Sequence, residues 1–291
     1  MARYEFRTVD AFTSVPFKGN PVAVVLDADA LSDEEMQTVA SWTNLSETTF
    51  LCEPTPESGA DYRLRIFTPQ NELAFAGHPT IGTAHAYLES GRARLDPEVL
   101  RMECGLGVLA IRTEQIGDEQ IIFTETPAAE FIHEFGTSAD AISAALGVPV
   151  GESPPPASIY NGPTWCFVYV PDGADFDRLK PDFSAITRLS DDFSLTGFAV
   201  FTLTGADPAV RIRCFCPIIE VPEDPVTGSA NGSLPTYLAR YDLLQKTGRS
   251  YVSSQGREIG RDGRVQIRVR EDDRVEVGGA AVTVVAGEIR L

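Results

Sequence analysis

The sequence contains no run of 18 apolar residues, so no membrane-spanning helix is expected. Its first residues, Met1 to Arg7, enter strand-like alternation without an apolar export segment, and from this we expect a cytoplasmic protein. Hydrophobic residues make up 43% of the chain and charged residues 23%, which excludes a disordered or fibrous class.

Cysteine is scarce and is not paired in the sequence. There are five cysteines and no Cys-x-x-Cys motif, which argues against a disulfide framework and against a structural zinc site. All five lie in strand-like surroundings, where cysteine commonly packs as a small buried hydrophobe. Cys214 and Cys216 alternate along one strand and therefore share a face.

Positive charge is also in short supply. The chain has 24 Lys and Arg residues against 42 Asp and Glu residues, a formal charge of −18. This field repels polyanions, which argues against nucleic-acid binding. A small anionic substrate would therefore need local positive potential, supplied by helix N-termini or individually placed arginines.

What the chain does contain is a duplication. The first copy consists of Arg65-Ile-Phe-Thr-Pro69 and Ala76-Gly-His-Pro-Thr-Ile-Gly82. About 150 residues later, similar segments follow in the same order, Arg213-Cys-Phe-Cys-Pro217 and Thr227-Gly-Ser-Ala-Asn-Gly232. Each copy predicts a strand, a glycine turn and the start of a helix, an arrangement that aims unpaired backbone N–H groups at one point. Two such points facing each other would bind an anion.

The order of predicted elements is strands, one helix and strands again, twice over. It favours an α+β fold of two pseudo-symmetric strand-rich lobes. We place the lobes at residues 1–128 and 129–291, with a last strand that can cross to the first lobe. Ser32 and Glu35 form a predicted capping box for an early helix. Pro235 predicts that the second central helix is kinked or short.

Glu47 is a candidate acid/base residue. It stands in Asn44-Leu-Ser-Glu47-Thr-Thr-Phe50, at the entrance to an apolar strand, where partial desolvation raises the pKa of a carboxyl group. The alternative is an ordinary exposed glutamate at a strand start.

Six ordered motifs along nearly the whole chain resemble the PhzF-like isomerases of phenazine biosynthesis. They are Asp10-Ala-Phe-Thr13, Gly19-Asn-Pro-Val-Ala-Val24, Asn44-Leu-Ser-Glu-Thr48, Phe75-Ala-Gly-His-Pro-Thr-Ile-Gly82, Glu223-Asp-Pro-Val-Thr-Gly-Ser-Ala230 and Gln255-Gly-Arg-Glu-Ile-Gly260. The resemblance implies the diaminopimelate epimerase-like fold, in which each lobe is a curved sheet or barrel around a central helix. It also implies a homodimer and an active site in the cleft between the lobes. It further implies an isomerase that moves a proton between carbons of a small carboxylated substrate, without a cofactor or a metal.

The same resemblance assigns residues to the site. Glu47 is implied to be the general acid/base, with His78 and Asp224 as further catalytic residues. Gly77, Gly228 and Ser229 are implied to bind the substrate through the two helix N-termini. Ala76 and Thr227 stand where diaminopimelate epimerase carries its paired cysteines, so two-thiol racemisation is not expected.

Rival interpretations remain open at this point. A binding protein for small carboxylates could keep the cleft without turnover. Less favoured is a Ser-His-Asp hydrolase built from Ser229, His78 and Asp224, because the surrounding sequence does not match the Gly-x-Ser-x-Gly nucleophile elbow. His85 could pair with His78 as metal ligands, but a packed histidine is the favoured interpretation.

Overall fold

A computed structural model describes residues 2–93 and 98–291 of the protein. Contacts within the chain divide it into two compact units, one of Met1–Glu125 with Gly278–Leu291 and the other of Thr126–Val277. No helix in the described ranges is long and apolar enough to cross a membrane.

The first unit is a curved sheet around one buried helix. Its strands are β1 (Arg3–Ala11), β2 (Asn20–Val25), β3 (Thr48–Cys52), β4 (Tyr62–Phe67), β5 (Glu72–Leu73), β6 (Val99–Cys104), β7 (Gly107–Ile116), β8 (Glu119–Glu125) and β18 (Ala281–Arg290). Its helices are α1 (Asp33–Thr43) and α2 (Gly77–Glu89). Strands β2 and β3, and β4 and β6, pair in parallel, and the other neighbours pair antiparallel.

The second unit repeats this pattern. Its strands are β9 (Glu130–Glu134), β10 (Ala157–Tyr160), β11 (Thr164–Tyr169), β12 (Gly197–Leu203), β13 (Val210–Cys216), β14 (Val221–Asp224), β15 (Ser250–Gln255), β16 (Gly263–Val269) and β17 (Val275–Gly279). Its helices are α3 (Ala139–Leu146), α4 (Gly173–Asp177), α5 (Phe183–Asp192), α6 (Gly228–Arg240) and α7 (Leu244–Thr247). The parallel pairs are β11 with β12 and β13 with β15, in the same order as in the first unit.

Most residues of the central helices α2 and α6 are buried, as expected for a helix enclosed by a sheet. Each helix approaches a neighbouring segment through a glycine. A Cβ atom added at Gly82 would lie 2.3 Å from Val22 Cγ1, and one added at Gly232 would lie 2.7 Å from Thr126 Cγ2. Only glycine therefore allows these helix backbones to lie so close to their neighbours.

A paired arginine braces the hairpin that leads into each central helix. Arg65 donates from Nε and Nη2 to both carboxylate oxygens of Glu72, and Arg213 does the same with Glu223. Each guanidinium also lies over the ring of the phenylalanine two residues later, at 5.1 Å in the first unit and 4.9 Å in the second. Such bidentate pairs fix geometry because both groups are planar.

Prolines shape the helices of the second unit, and most of the cysteines are buried. Helices α4 and α5 are short and separate because Pro181 lies between them. Helix α6 runs through Pro235 for 13 residues, so the expectation of a short helix is wrong, whereas the alternative of a kink stays a prediction. Four of the cysteines are buried as predicted, but Cys104 is partly exposed.

Candidate functional site

In the first unit, the N-terminal end of α2 meets the point where β1 ends and β2 begins. Ala11, the last residue of β1, pairs with Asn20, the first of β2. The backbone N–H of Ala23 in β2 donates to the carbonyl of Glu47, which precedes β3. The parallel pairing of β2 with β3 thus places Glu47 at the same end of the unit as the first turn of α2.

This helix begins without a side-chain cap. Its N-cap residue is Ala76, in an extended conformation, and Ala has no side-chain oxygen to accept from the first-turn N–H groups. The Thr80 hydroxyl donates to the Ala76 carbonyl, a bond that does not cap the first-turn N–H groups. Gly77 and His78 occupy the first two helical positions, where the positive end of the helix dipole lies.

Glu47 and His78 come together at this helix end. The distance from Glu47 Oε2 to His78 Nε2 is 3.2 Å, and their side chains are 16% and 9% exposed. Burial lowers the pKa of His78 to about 3, and a hydrogen bond to the Pro21 backbone only partly opposes this effect. The imidazole is therefore neutral at neutral pH, and one of its two ring nitrogens can accept a proton.

A layer of threonine hydroxyls supports the strand that follows Glu47. Thr83 of α2 donates to Thr49 Oγ1 at 2.8 Å, and Thr49 donates to the Ala23 carbonyl at 3.1 Å. These bonds join α2, β3 and β2 beneath the Glu47–His78 pair. Ala23, Thr49 and Thr83 are fully buried, so these hydrogen bonds are shielded from water.

The second unit presents a corresponding helix start. Thr227 is the N-cap of α6, but its hydroxyl makes no cap hydrogen bond. It donates instead to Asp224 Oδ2 at 2.5 Å. Gly228 and Ser229 occupy the first two helical positions, the same places that Gly77 and His78 hold in α2.

Ser229 is held by two residues that the sequence did not single out. Trp165 Nε1 donates to Ser229 Oγ at 3.0 Å, and Asn161 Nδ2 donates to the Ser229 carbonyl at 3.0 Å. Indole N–H is only a donor, so the serine oxygen accepts and its own proton is directed to another acceptor. Trp165 and Asn161 lie more than 60 residues away in sequence, and no local pattern marks them.

Gln255 is a third residue whose role was missed. It lies in a motif used for the family resemblance, but nothing in its sequence neighbourhood predicts that it contacts the turn before α6. Its side chain is buried and forms hydrogen bonds with Asp224, Thr227 and Asn231. The geometry therefore connects β15 directly to the predicted site residues of the second unit.

The candidate residues thus form two groups. Glu47, Gly77 and His78 lie together in the first unit, and Asp224, Gly228 and Ser229 lie together in the second. Within residues 2–93 and 98–291, no three His, Cys, Asp or Glu side chains lie close enough to hold a metal ion. His85 is largely buried, and burial lowers its pKa.

The whole chain matches proteins of one family. Residues 9–287 match the model of the PhzC-PhzF family, described as phenazine biosynthesis-like protein. The chain is 38% identical to the trans-2,3-dihydro-3-hydroxyanthranilate isomerase of Pseudomonas fluorescens, over 99% of this chain and 100% of that one. It is also 38% identical to Antisense-enhancing sequence 1 of Schizosaccharomyces pombe, over 99% of both.

Solved structures of the same family have a similar fold. The crystal structure of a Bacillus anthracis phenazine biosynthesis protein of the PhzF family superposes with a TM-score of 0.87 at 28% identity, over 100% of both chains. The predicted diaminopimelate epimerase-like fold is confirmed. The match along almost the full length, together with the isomerase relatives, identifies the chain as a member of the PhzC-PhzF family and as an isomerase.

Proposed function

We propose that this isomerase moves a proton between two carbons of a small carboxylated substrate, with Glu47 as the general acid/base and without a cofactor. The observation that carries the proposal is the 3.2 Å approach of Glu47 to His78 beside the uncapped start of α2. In one step the Glu47 carboxylate takes a proton from a C–H bond, whose electron pair enters a neighbouring unsaturated system. In the next, the same carboxyl group returns the proton to another carbon and is regenerated.

The neutral state of His78 suits this role. A protonated imidazole 3.2 Å away would stabilise the carboxylate and weaken it as a base. Because burial holds the pKa of His78 near 3, that positive charge is absent at neutral pH. The imidazole can instead exchange a hydrogen bond with Glu47 as the carboxyl group gains and loses its proton.

The helix starts supply the positive potential that the chain's charge of −18 does not. First-turn N–H groups at Gly77 and His78 can stabilise a substrate carboxylate, or the negative charge that develops as the proton leaves. Asp224 and Ser229 offer an acceptor and a hydroxyl for the substrate's amine or hydroxyl groups. That both helix starts act on one substrate molecule stays a prediction, as do the homodimer and the cytoplasmic location.

The identity of the substrate must be tested separately from the type of reaction. The Pseudomonas relative is named for a ring compound with a carboxylate, an amine and a hydroxyl group, which makes that compound the first to test. A relative of equal identity carries an unrelated name, so similarity alone does not select this substrate. A panel of unsaturated or hydroxylated amino acids and carboxylic acids should accompany it.

The test is incubation with each candidate in heavy water, followed by NMR. We expect a rearranged product and deuterium on carbon, undiminished after dialysis against a chelator. Glu47→Gln should keep the fold and lower the rate by about 10²-fold or more. Glu53→Gln, just beyond the other end of β3 and exposed, is the matched control and should be unimpaired.

Other outcomes would contradict the proposal. Protection of the protein from thermal unfolding by a carboxylate, with neither product nor exchange across the panel, would favour a binding protein. Full activity of Glu47→Gln would remove Glu47 from the mechanism.

A further inference from the structure

Gln255 uses all of its hydrogen-bonding capacity on the turn that carries Asp224. Its Oε1 accepts from the Thr227 N–H at 3.0 Å and from Asn231 Nδ2 at 3.1 Å. Its Nε2 donates to the Asp224 carbonyl and to Thr227 Oγ1, both at 2.9 Å. The residue is only 2% exposed. A flipped amide would set its NH2 group against two donors, so this orientation is fixed by its partners.

The orientation of Gln255 in turn directs the Thr227 hydroxyl. That oxygen accepts the Nε2–H of Gln255, and its single proton goes to Asp224 Oδ2, 2.5 Å away. A hydroxyl bound in this way cannot also cap α6, and its cap hydrogen bond is indeed missing. Gln255 Oε1 satisfies the N–H of the N-cap residue itself. The first-turn N–H groups that follow are thus left uncovered by the N-cap side chain.

The first unit shows that the fold does not require this arrangement. In the second unit Arg211 pairs with Ser254, the residue before Gln255, and in the first unit the corresponding Arg63 pairs with Glu103, the residue before Cys104. Cys104 therefore occupies the place of Gln255, and Ala76 that of Thr227. Neither residue can form these side-chain hydrogen bonds, and Cys104 instead contributes to the lining of a pocket open to solvent.

We infer that Gln255 is a positioning residue, which orients the Asp224 carboxylate and the start of α6 for catalysis. The inference rests on the proposed function, in which Asp224 contacts the substrate. In the first unit the same fold forms with cysteine at this place, so the fold itself does not dictate glutamine in the second. A displacement of about 1 Å in a catalytic group can lower a rate by about 10²-fold. The effect of losing a positioning residue on the rate can therefore be measured.

The test compares Gln255→Glu and Gln255→Met with the wild type in the exchange assay. In Gln255→Glu, an ionised carboxylate faces the Asp224 carbonyl and Thr227 Oγ1 with an acceptor instead of a donor. We expect kcat to fall about 10-fold or more with little change in KM. The ratio of variant to wild-type kcat should rise as the pH falls from 8 to 5, because protonation of the new carboxyl group restores one donor.

Other ionisable side chains near this position are Asp224, Glu223 and Cys214. The two carboxylates are present in all the proteins compared, and Gln255→Met, which adds no charge, is the control for their contribution. Burial raises the pKa of Cys214 well above its ordinary value, so that thiol stays neutral throughout. Gln255→Met should lose activity to a similar extent at every pH. Gln266→Glu, which adds the same charge on β16, should behave like the wild type.

Each remaining result would overturn the inference. Folded Gln255 variants with wild-type kcat would remove the positioning role, and so would a pH-independent ratio for Gln255→Glu. Loss of the fold in both variants would assign Gln255 to structure. Thr227→Val deletes the hydroxyl that connects Gln255 to Asp224 and should reproduce the loss of kcat. Unchanged activity of this variant would also overturn the inference. If the wild type itself shows no exchange with any compound, the proposed function fails, and this inference fails with it.

Discussion

Glu47 Oε2 lies 3.2 Å from His78 Nε2, although the two residues belong to different elements. Glu47 precedes β3, and His78 lies in the first turn of α2. A carboxyl group and a neutral imidazole at this separation form a pair in which a proton can be exchanged. In the proposed mechanism, proton transfer by Glu47 therefore depends on distance as much as on residue type.

The distance can be tested without changing the charge. Glu47→Asp keeps the carboxylate but shortens the side chain by one methylene, which withdraws it by about 1.5 Å. We expect the rate of proton transfer to fall by about 10²-fold, with the fold preserved. NMR of exchange and product gives the rate, and Glu53→Asp serves as the control. A rate within roughly threefold of the wild type would contradict the importance of this separation.

Burial of His78 has a consequence for stability. The folded protein holds this imidazole neutral down to a pKa of about 3, while the unfolded chain protonates it near its ordinary value of 6.5. Between these values the unfolded state binds the extra proton, so the free energy of unfolding decreases as the pH falls. The contribution is at most about 1.4 kcal/mol per pH unit.

Urea unfolding at pH 7.5, 6.0 and 5.0 measures this effect. His78→Asn should lose His78's share of the pH dependence, so its free energy of unfolding should fall less steeply than that of the wild type. The pKa of His85 is lowered by burial too, but this residue is present in both proteins, and the difference between them isolates His78 together with its neighbour Glu47. Equal slopes in the two proteins would show that His78 is protonated in the folded state.

Local physics explains which elements were predictable. The capping box at the start of α1 is present, with Glu35 N donating to Ser32 Oγ and Ser32 N to Glu35 Oε2. Strands with alternating apolar residues likewise carry a local signal that the sequence shows. In contrast, β14 is short and contains Pro222, so it lacks the periodicity that marks a strand.

The candidate site was predictable only where a motif carried it. Glu47 and His78 are 31 positions apart, and their proximity follows from the pairing of β2 with β3 and the packing of α2, which no local pattern records. Gln255 and Trp165 could not be identified for the same reason. Their roles lie in hydrogen bonds to residues far away in sequence, which form only in the folded chain.

The duplicated arginine pairs allow a comparison within one protein. The side chains of Arg213 and Glu223 are 8% and 7% exposed, whereas Glu72, the partner of Arg65, is 41% exposed. Removing one member of a buried pair leaves an uncompensated charge and costs about 3–5 kcal/mol. An exposed pair contributes about 0–1 kcal/mol.

We therefore expect Glu223→Gln to lower the free energy of unfolding far more than Glu72→Gln does. Chemical denaturation of both variants at neutral pH measures the difference, with the wild type alongside. Arg65 also pairs with Asp33, which further limits the effect of losing Glu72. Equal losses in the two variants would mean that burial does not decide the contribution of these pairs.

The close approach of α2 to β2 gives the last prediction. Gly82→Ala places a Cβ atom 2.3 Å from Val22 Cγ1, in a region where both residues are buried. Alanine favours helix by about 1 kcal/mol over glycine, but the clash must be relieved by shifts that cost about 1–3 kcal/mol. We expect net destabilisation in thermal and chemical unfolding. Val22→Ala removes the clashing methyl group, so the double variant should be more stable than the sum of the two single losses by about 1 kcal/mol or more. Strict additivity would show that α2 can move away from β2 without cost.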